Sequence, residues 1–223
     1  MINNNFKTLF RKNLKTLIIT SIITLLPIVA GISLWDKLPE KIPTHFNAQG
    51  VADGFSGKPF AVFALPLFLL AVHWICLAVS SLDPKSQNIS GKALKLVLWI
   101  CPALSLLLGT VIYSFALGYE FNINVIMNIF FGLMFIVIGN YMPKCKQSYT
   151  MGIKIPWTLD SEENWNYTHR LAGKLWVIGG LIMIFTAFLK QYWIFAAITA
   201  IMVIIPVICS YRYYVKHDKN KNP

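Results

Sequence analysis

The chain has 223 residues, of which 56% are hydrophobic and 13% are charged, against roughly 25% charged in an ordinary soluble domain. A soluble fold could not bury so much apolar surface, so the composition excludes that class. The formal net charge of +11 alone would suit nucleic-acid binding, but the cations cluster beside apolar runs, which is the distribution typical of a membrane protein.

Six apolar segments reach or approach the length of about 20 residues that a helix needs to cross a bilayer. The first is longer than the apolar core of a secretion signal and further spans follow it, so we predict an uncleaved span. Only Lys190 and Gln191 separate the last two segments, which predicts a tight helical hairpin. The predicted spans cover residues 17–35, 60–81, 94–117, 121–141, 174–189 and 192–211.

The predicted fold class is therefore all-α, a polytopic membrane protein with about six transmembrane helices. Basic residues near span ends are retained in the cytoplasm. With the N-terminus inside, all of the 20 lysines and arginines lie in cytoplasmic segments except Lys37, Lys41, Lys58 and Lys190. Both termini are thus predicted to be cytoplasmic. The predicted parts are a cytoplasmic N-terminal segment (1–16), an N-terminal membrane domain (17–92) with an outer loop (36–59), a C-terminal membrane domain (93–211) with a cytoplasmic loop (142–173), and a cytoplasmic tail (212–223).

The outer loop is rich in turn signals. Pro39 and Pro43 favour extended backbone in the residues before them, while Gly50 and the pair Asp53-Gly54 indicate turns. We therefore expect a compact cap on the outer surface, either irregular or hairpin-like.

Three polar side chains of this loop, His45, Asn47 and Asp53, lie within nine positions of each other. A histidine and an aspartate can coordinate a divalent metal, but the set has no tight ligand motif. Turn and capping hydrogen bonds are the simpler interpretation, so no metal is predicted here. These three residues are the candidate outer-surface site.

The cytoplasmic loop 142–173, called the inner segment below, divides into two parts. Residues 143–157 are predicted to be extended, with Pro156 excluding a helix there. Asp160 or Ser161 is then predicted to cap a helix with acidic residues in its first turn. That helix should run along the membrane interface through Trp165 before turning into the fifth span.

The inner segment combines basic and aromatic residues beside a membrane. Such a set most often anchors to anionic headgroups, and a docking surface for a cytosolic partner is the alternative. The candidate residues of this surface are Lys144, Lys146, Lys154, Trp157, Trp165, His169 and Arg170.

The predicted spans contain no Asp or Glu. Ion-coupled transport, proton pumping and intramembrane aspartyl proteolysis need buried carboxylates, so these functions are disfavoured. His73 is the one ionisable residue in the middle of a span, and a neutral interhelical hydrogen bond is a simpler role for it than proton relay. The chain also lacks the Walker, zinc-protease and nucleophile-elbow motifs. We predict no catalysis and no cofactor.

Three linked motifs in and beside the inner segment carry a family resemblance. They read Gly-Asn-Tyr-Met-Pro-Lys at 139–144, Gly-Ile-Lys-Ile-Pro-Trp-Thr-Leu at 152–159 and Trp-Asn-Tyr-Thr-His-Arg-Leu-Ala-Gly-Lys at 165–174. In this order they resemble the C-terminal signature of the SdpI family of bacterial immunity proteins. Lys154 departs from the arginine expected there and lacks the planar fork of that residue.

A fourth motif, Leu-Pro-Glu-Lys-Ile-Pro-Thr-His-Phe-Asn at 38–47, is similar to a small membrane domain of unknown function that often precedes this signature. The resemblance implies a multi-pass protein of the bacterial cell membrane that protects against a secreted, membrane-active peptide toxin. It further implies a signalling receptor that draws a cytosolic transcriptional repressor to the membrane. The toxin would face the outer-loop residues, the repressor would meet the inner surface, and there is no direct nucleic-acid contact.

Two alternative functions remain at this stage. A small transporter or exporter of toxin or drug would need a polar path through the spans, for which His73 and scattered hydroxyls offer little. A membrane-bound enzyme using His45 or His169 as a base lacks an evident nucleophile or metal partner.

Overall fold

The computed structural model describes residues 2–189 and 191–219. Lys190 of the predicted hairpin, the first residue of the N-terminal segment and residues 220–223 of the predicted tail lie outside the described residues. The helices are α1 (Ile2–Ser33), α2 (Leu65–Leu82), α3 (Gly91–Ala116), α4 (Ile123–Tyr141), α5 (Pro156–Asp160), α6 (Glu162–Thr186) and α7 (Tyr192–Tyr213), and the strands are β1 (Lys41–Phe46) and β2 (Ala52–Gly57).

Short helical turns extend three of these elements. A π-helical turn, Phe60–Ala64, leads into α2, and another, Tyr214–Asp218, follows α7. Single 3₁₀ turns form at Ser86–Asn88, between α2 and α3, and at Met142–Lys144, after α4.

Within the described residues, five helices are long and apolar enough to cross a membrane. The predicted all-α, multi-pass membrane class is therefore confirmed. The predicted span 174–189 falls mainly in the second half of α6, which begins with polar residues and is not among the five, so the count of six is approximate. The five segments are Phe10–Ser33, Phe60–Leu82, Gly91–Ala116, Ile123–Lys144 and Trp193–His217.

The chain divides into two compact units. The first consists of the chain up to Leu82 together with Leu94–Ile123, and the second consists of Asp83–Ala93 and the chain from Asn124 onward. The first unit holds α1, the β-hairpin, α2 and most of α3. The second holds α4 to α7 and the inner segment.

The core of the first unit lies where the start of the outer hairpin, the turn before α2 and α3 meet, and α1 packs closely against it at Gly31. Tyr113 is buried and its hydroxyl donates to the carbonyl of Pro27 over 2.9 Å. Gly31 and Gly109 allow this close approach, because a Cβ at Gly31 would lie 2.7 Å from the Tyr113 hydroxyl and one at Gly109 would lie 2.7 Å from Pro27 Cβ. Close backbone contact through glycine is typical of helices packed in membranes.

His73 joins α1 to α2 in the same unit. Its ring is fully buried, and Nε2 lies 2.8 Å from the hydroxyl of Thr20. That hydroxyl donates to the carbonyl of Thr16 over 2.7 Å, so it accepts from the His73 ring. The predicted interhelical hydrogen bond is confirmed.

In the second unit α4 and α6 approach each other through two pairs of glycines. A Cβ on Gly132 would lie 2.7 Å from the carbonyl oxygen of Gly180, and one on Gly173 would lie 2.7 Å from that of Gly139. Any larger side chain would separate the two backbones.

Two expectations about the inner segment are wrong. Pro156 does not exclude a helix; it is the first residue of α5, where a missing N–H costs nothing because the first amides of a helix have no intrahelical partner. The helix through Trp165 is not a separate interfacial element either, since α6 runs without interruption from Glu162 to Thr186. The predicted capping is confirmed at Ser161, whose hydroxyl accepts from the amide of Asn164 over 3.2 Å.

Candidate functional site

The outer loop folds into a two-stranded antiparallel hairpin. Lys41 pairs with Gly57 and Pro43 with Phe55, and the register is irregular between Pro43 and Phe46. Residues alternate between the two faces of a strand. β2 follows this alternation and Phe55 is 59% exposed, whereas in β1 the adjacent residues Ile42 and Pro43 are both buried.

Asn47 shapes the turn of this hairpin. Its side-chain oxygen accepts from the amides of Gln49 and Val51, each over 3.0 Å. Gly50 follows with a φ of 78°, a conformation that favours glycine. Asn47 therefore has a structural role in the turn, which accounts for one of the three predicted outer-site residues.

The other two predicted residues form a pair. His45 Nδ1 lies 2.6 Å from Asp53 Oδ1, across the hairpin, with side chains that are 72% and 45% exposed. Among the described residues no third His, Cys, Asp or Glu joins them to form a metal-binding group. Val51 and Phe55, each two positions from Asp53 in the sequence, are exposed apolar residues, so this part of the hairpin offers both polar and apolar groups.

The base of the hairpin depends on Lys58, which the sequence analysis did not single out. Its side chain is buried, and its ammonium lies 2.9 Å from Glu40, donates to the carbonyl of Trp35 over 3.2 Å and sits 5.3 Å from the ring centroid of Trp35. In the sequence, Lys58 comes directly before Pro59 and an apolar run, a position that indicates an anchor at the end of a membrane span. Only the fold reveals that it is buried.

Aromatic rings hold the other end of β1. Phe46 contacts Phe115 at a ring-centroid distance of 4.8 Å, and Phe115 contacts Phe121 at 4.5 Å. The hairpin is thus fixed against the end of α3 rather than hanging free.

Within the inner segment, Trp165 and His169 form a buried pair. Both are buried, and their rings stack with centroids 4.0 Å apart. The Trp165 indole donates to the carbonyl of Cys145 over 2.8 Å. Neither residue contributes exposed surface, although both were predicted to belong to a surface.

His169 is held in one tautomer. Its Nε2 accepts from the amide of Ile153 over 3.0 Å, so Nδ1 carries the proton and donates to the carbonyl of Trp165 over 2.8 Å. Burial lowers the pKa of His169 below its usual value of 6.5, because desolvation disfavours the charged ring. A neutral His169 therefore stabilises the loop before α5 through the hydrogen bond from the amide of Ile153.

The remaining predicted residues do lie on the surface. Trp157 is half-buried, donates to the hydroxyl of Ser210 over 2.8 Å, and packs its ring 5.3 Å from that of Tyr211. The exposed cations of the inner segment are Lys144, Lys146, Lys154 and Arg170.

Asp83 is the residue of this region that the sequence analysis missed. Its carboxylate is buried, and Oδ2 accepts from the amides of Tyr149 and Thr150 and from the Thr150 hydroxyl over 2.9, 2.9 and 2.7 Å. Oδ1 accepts from the amide of Lys85 over 2.7 Å. In the sequence, Asp83 is a lone carboxylate directly after an uncharged span. This pattern is equally typical of a simple turn, so it does not by itself indicate a buried residue.

Gln147 adds further bonds between the same segments. Its side-chain amide donates to the carbonyls of Thr158 and Leu159, each over 2.8 Å, and its own carbonyl accepts from the side chain of Asn88 over 2.8 Å. Its side-chain oxygen accepts from the Lys85 ammonium. The inner segment is therefore an ordered structure built around buried polar groups.

Comparison with known proteins adds three findings. Residues 144–210 match the SdpI/YfhL protein family, and residues 22–70 match a domain of unknown function, DUF1648. The chain is 29% identical over 211 residues to Immunity protein SdpI of Bacillus subtilis (strain 168), an alignment that covers 91% of this chain and 98% of that protein. No solved structure matches significantly. Both parts of the predicted family resemblance are confirmed.

Proposed function

We propose that this chain, which carries an SdpI/YfhL family domain behind a DUF1648 domain, is a membrane immunity protein against a secreted, membrane-active peptide toxin. The observation that carries the proposal is the similarity to an immunity protein over 91% of the chain. Five apolar helices support its place in the bacterial cell membrane. The proposed activity is protection by binding and contains no catalytic step.

The outer hairpin is the proposed toxin-facing surface. It is fixed at its base and at Phe46, and it exposes Phe55 beside the pair of His45 and Asp53. An apolar group next to a hydrogen-bonded polar pair suits an amphipathic peptide, because the ring can bury part of the peptide while the pair offers polar contacts.

Expression in a toxin-sensitive host tests this assignment. We expect the native chain to raise the lethal toxin dose, and the double variant Asp53→Ala and Phe55→Ala to lose most of that protection, by about tenfold or more. Lys37→Ala, on an exposed residue outside the hairpin, is the matched control and should protect fully.

Membrane levels of each variant are measured by immunoblotting, so that loss of protein is not mistaken for loss of protection. If the native chain gives no protection, immunity itself is contradicted. If the hairpin variant protects as well as the native chain, only the assignment of the toxin-facing surface fails.

We further propose that the protein signals by recruiting a cytosolic repressor to the inner segment. The exposed cations and the half-buried Trp157 support a docking surface, because the buried groups Asp83, Trp165 and His169 keep that surface rigid. Signalling of this kind requires the toxin to prefer one of two conformations of the protein.

A repressor encoded beside this gene, fused to a fluorescent protein, tests the signalling proposal. Toxin should move the fusion to the membrane in cells with the native chain. The double variant Lys146→Gln and Lys154→Gln should reduce that recruitment several-fold, while Lys216→Gln, an exposed lysine elsewhere, should not. Equal recruitment by all three proteins would contradict the docking surface.

A further inference from the structure

We propose that Arg170 and Lys174 of α6, together with the ring of Tyr213 on α7, form a binding site for the headgroup of an anionic phospholipid, of which phosphatidylglycerol is the best match. A groove of about 530 Å³ opens there between the two helices. Its lining includes Arg170, Lys174, Tyr167, Tyr213 and Glu163. The groove shares Arg170 with the inner surface but contains none of Trp165, His169 and the outer hairpin.

The two cations of the groove are placed for a phosphate. Arg170 and Lys174 are four residues apart in α6, so their side chains lie on the same helix face one turn apart. Both are exposed. An arginine fork can bind two phosphate oxygens together while a lysine ammonium supplies a third contact. A phosphodiester between them would satisfy both charges.

The depth of the groove matches the headgroup layer of a bilayer. Lys174 is the last charged residue of α6, because the following residues 175–186 carry no charge. On α7 the uncharged residues 192–211 end at Arg212, next to Tyr213. The groove therefore lies where both helices change from apolar to charged, which is the level at which lipid phosphates are found.

An apolar stripe leads from the groove along α6. Ile178, Leu181, Ile182 and Phe185 follow Lys174 at helical spacing, and they are 54%, 44%, 43% and 79% exposed. Residues at these intervals share one helix face. A phospholipid whose phosphate binds Lys174 could thus lay an acyl chain along this stripe, which a free phosphate ion or a soluble anion could not do.

Stacked aromatic rings, one from α6 and one from α7, form part of the wall of the groove. Tyr167 and Tyr213 stack with centroids 4.9 Å apart, and Tyr213 lies 4.6 Å from the ring of His217. Tyrosine hydroxyls are suited to this depth because the ring stays apolar while the hydroxyl bonds to headgroups. Glu163, two turns farther from the apolar stripe, can accept from the glycerol hydroxyls of phosphatidylglycerol.

Lipid binding to the purified full-length chain tests the proposal. The delipidated protein in detergent is titrated with phosphatidylglycerol, phosphatidylethanolamine and phosphatidylcholine, and bound lipid is measured by native mass spectrometry. We expect phosphatidylglycerol to bind most tightly. The double variant Arg170→Gln and Lys174→Gln should weaken it by roughly thirtyfold, since each cation near a membrane surface contributes about fivefold.

The matched control is the double variant Arg212→Gln and Lys216→Gln, which removes the same two charges from exposed positions of α7 and the turn after it. It should bind phosphatidylglycerol within about threefold of the native chain. Arg170→Lys retains every charge, so it should lose less than the roughly fivefold contribution of a whole cation, about twofold, through its missing fork. Arg170→Lys still measures the contribution of Arg170 to lipid affinity if the double variant fails to fold.

Three outcomes would overturn the proposal. Equal weakening by both double variants would mean diffuse charge attraction without a site. Equal affinity for phosphatidylcholine would remove the headgroup specificity. Displacement of the lipid by inorganic phosphate at the same concentration would identify a free phosphate as the ligand. None of these results bears on protection from a toxin, which is measured separately in cells.

Discussion

At the scale of single residues, Asp83 is the charge on which the inner segment depends. A buried carboxylate is stable only when hydrogen bonds replace the water that it loses. Here three amides and one hydroxyl do so, and two of those amides, from Tyr149 and Thr150, lie in the inner segment. One side chain therefore ties the residues after α2 to the loop that precedes α5.

We predict that Asp83→Asn lowers the free energy of unfolding by about 2–3 kcal/mol. An asparagine can keep one oxygen for the amide of Lys85, but its NH₂ group would then face the amides of Tyr149 and Thr150, which are also donors. Denaturant unfolding in detergent micelles measures the change. Asp160→Asn, at an exposed carboxylate, should leave the unfolding free energy almost unchanged, and a similar loss in both variants would contradict the role of Asp83.

His169 sets a pH dependence with a definite sign. Its pKa in the folded state is lowered by burial, whereas in the unfolded chain it keeps its usual value of 6.5. Above that value both states are neutral and the stabilisation is complete. As the pH falls below 6.5, His169 binds a proton in the unfolded chain but not in the folded chain. The free energy of unfolding therefore decreases until the pH lies below the folded-state pKa.

We therefore expect the unfolding free energy to fall between about pH 7 and pH 5, by at most about 1.4 kcal/mol per pH unit from this one group. His169→Gln cannot titrate and should show a shallower decline, although it is less stable at neutral pH. The other histidines are the same in both proteins. Parallel pH profiles for the two proteins would show that His169 does not cause the dependence.

At the scale of elements, the inner segment packs its loop against α6 through a glycine. Gly152 has a φ of +111°, which L side chains rarely adopt. A Cβ there would also overlap the rings of His169 and Trp165. The loop can approach the buried ring stack only because this position has no side chain.

We predict that Gly152→Ala destabilises the protein by about 2–5 kcal/mol, the sum of backbone strain and overpacking. The same substitution at Gly91, the first residue of α3, meets no atom within 4 Å and should change stability by less than about 0.5 kcal/mol. Unfolding in micelles compares the two variants. A tolerated Gly152→Ala would mean that the loop can move away from the ring stack.

The outer hairpin shows a different balance of forces. The pair of His45 and Asp53 is exposed, so its contribution to stability is small. Stability comes instead from the buried Lys58 at the base, from the Asn47 turn and from the contact of Phe46 with Phe115. The exposed pair is therefore available for binding without a large cost to the fold.

At the scale of the whole molecule, the proposed function requires the hairpin and the inner segment to face opposite compartments. We predict that Lys41→Cys reacts with a membrane-impermeant maleimide in intact cells, while Lys154→Cys reacts only after permeabilisation. Both positions are exposed. The background has its four native cysteines replaced by alanine, and that parent protein is the control for unspecific labelling.

Labelling of Lys154→Cys in intact cells would show that the topology is the reverse of the predicted one. The hairpin would then lie in the cytoplasm and could not be the toxin-facing surface. The prediction follows from the distribution of basic residues, since cations near span ends resist export. It does not depend on the identity of the toxin.

Several parts of this molecule follow from local sequence alone. A run of about 20 apolar residues is stable in lipid whatever its neighbours are, so composition was enough to predict the membrane class. The cap at Ser161 and the turn at Asn47 are also local, because a side chain bonds to amides within a few positions of itself. The family motifs at 139–144, 152–159 and 165–174 are read directly from the chain.

Other parts were decided by tertiary structure only. The sequence predicts Trp165 and His169 to be surface residues, yet the loop before α5 covers them, and its Ile153 amide bonds to His169 16 positions away. Asp83 finds its partners 66 and 67 positions away, and Tyr167 meets Tyr213 across two helices. Burial and long-range pairing depend on which segments pack together, and no local pattern encodes that choice because it is set by the summed contacts of the whole unit.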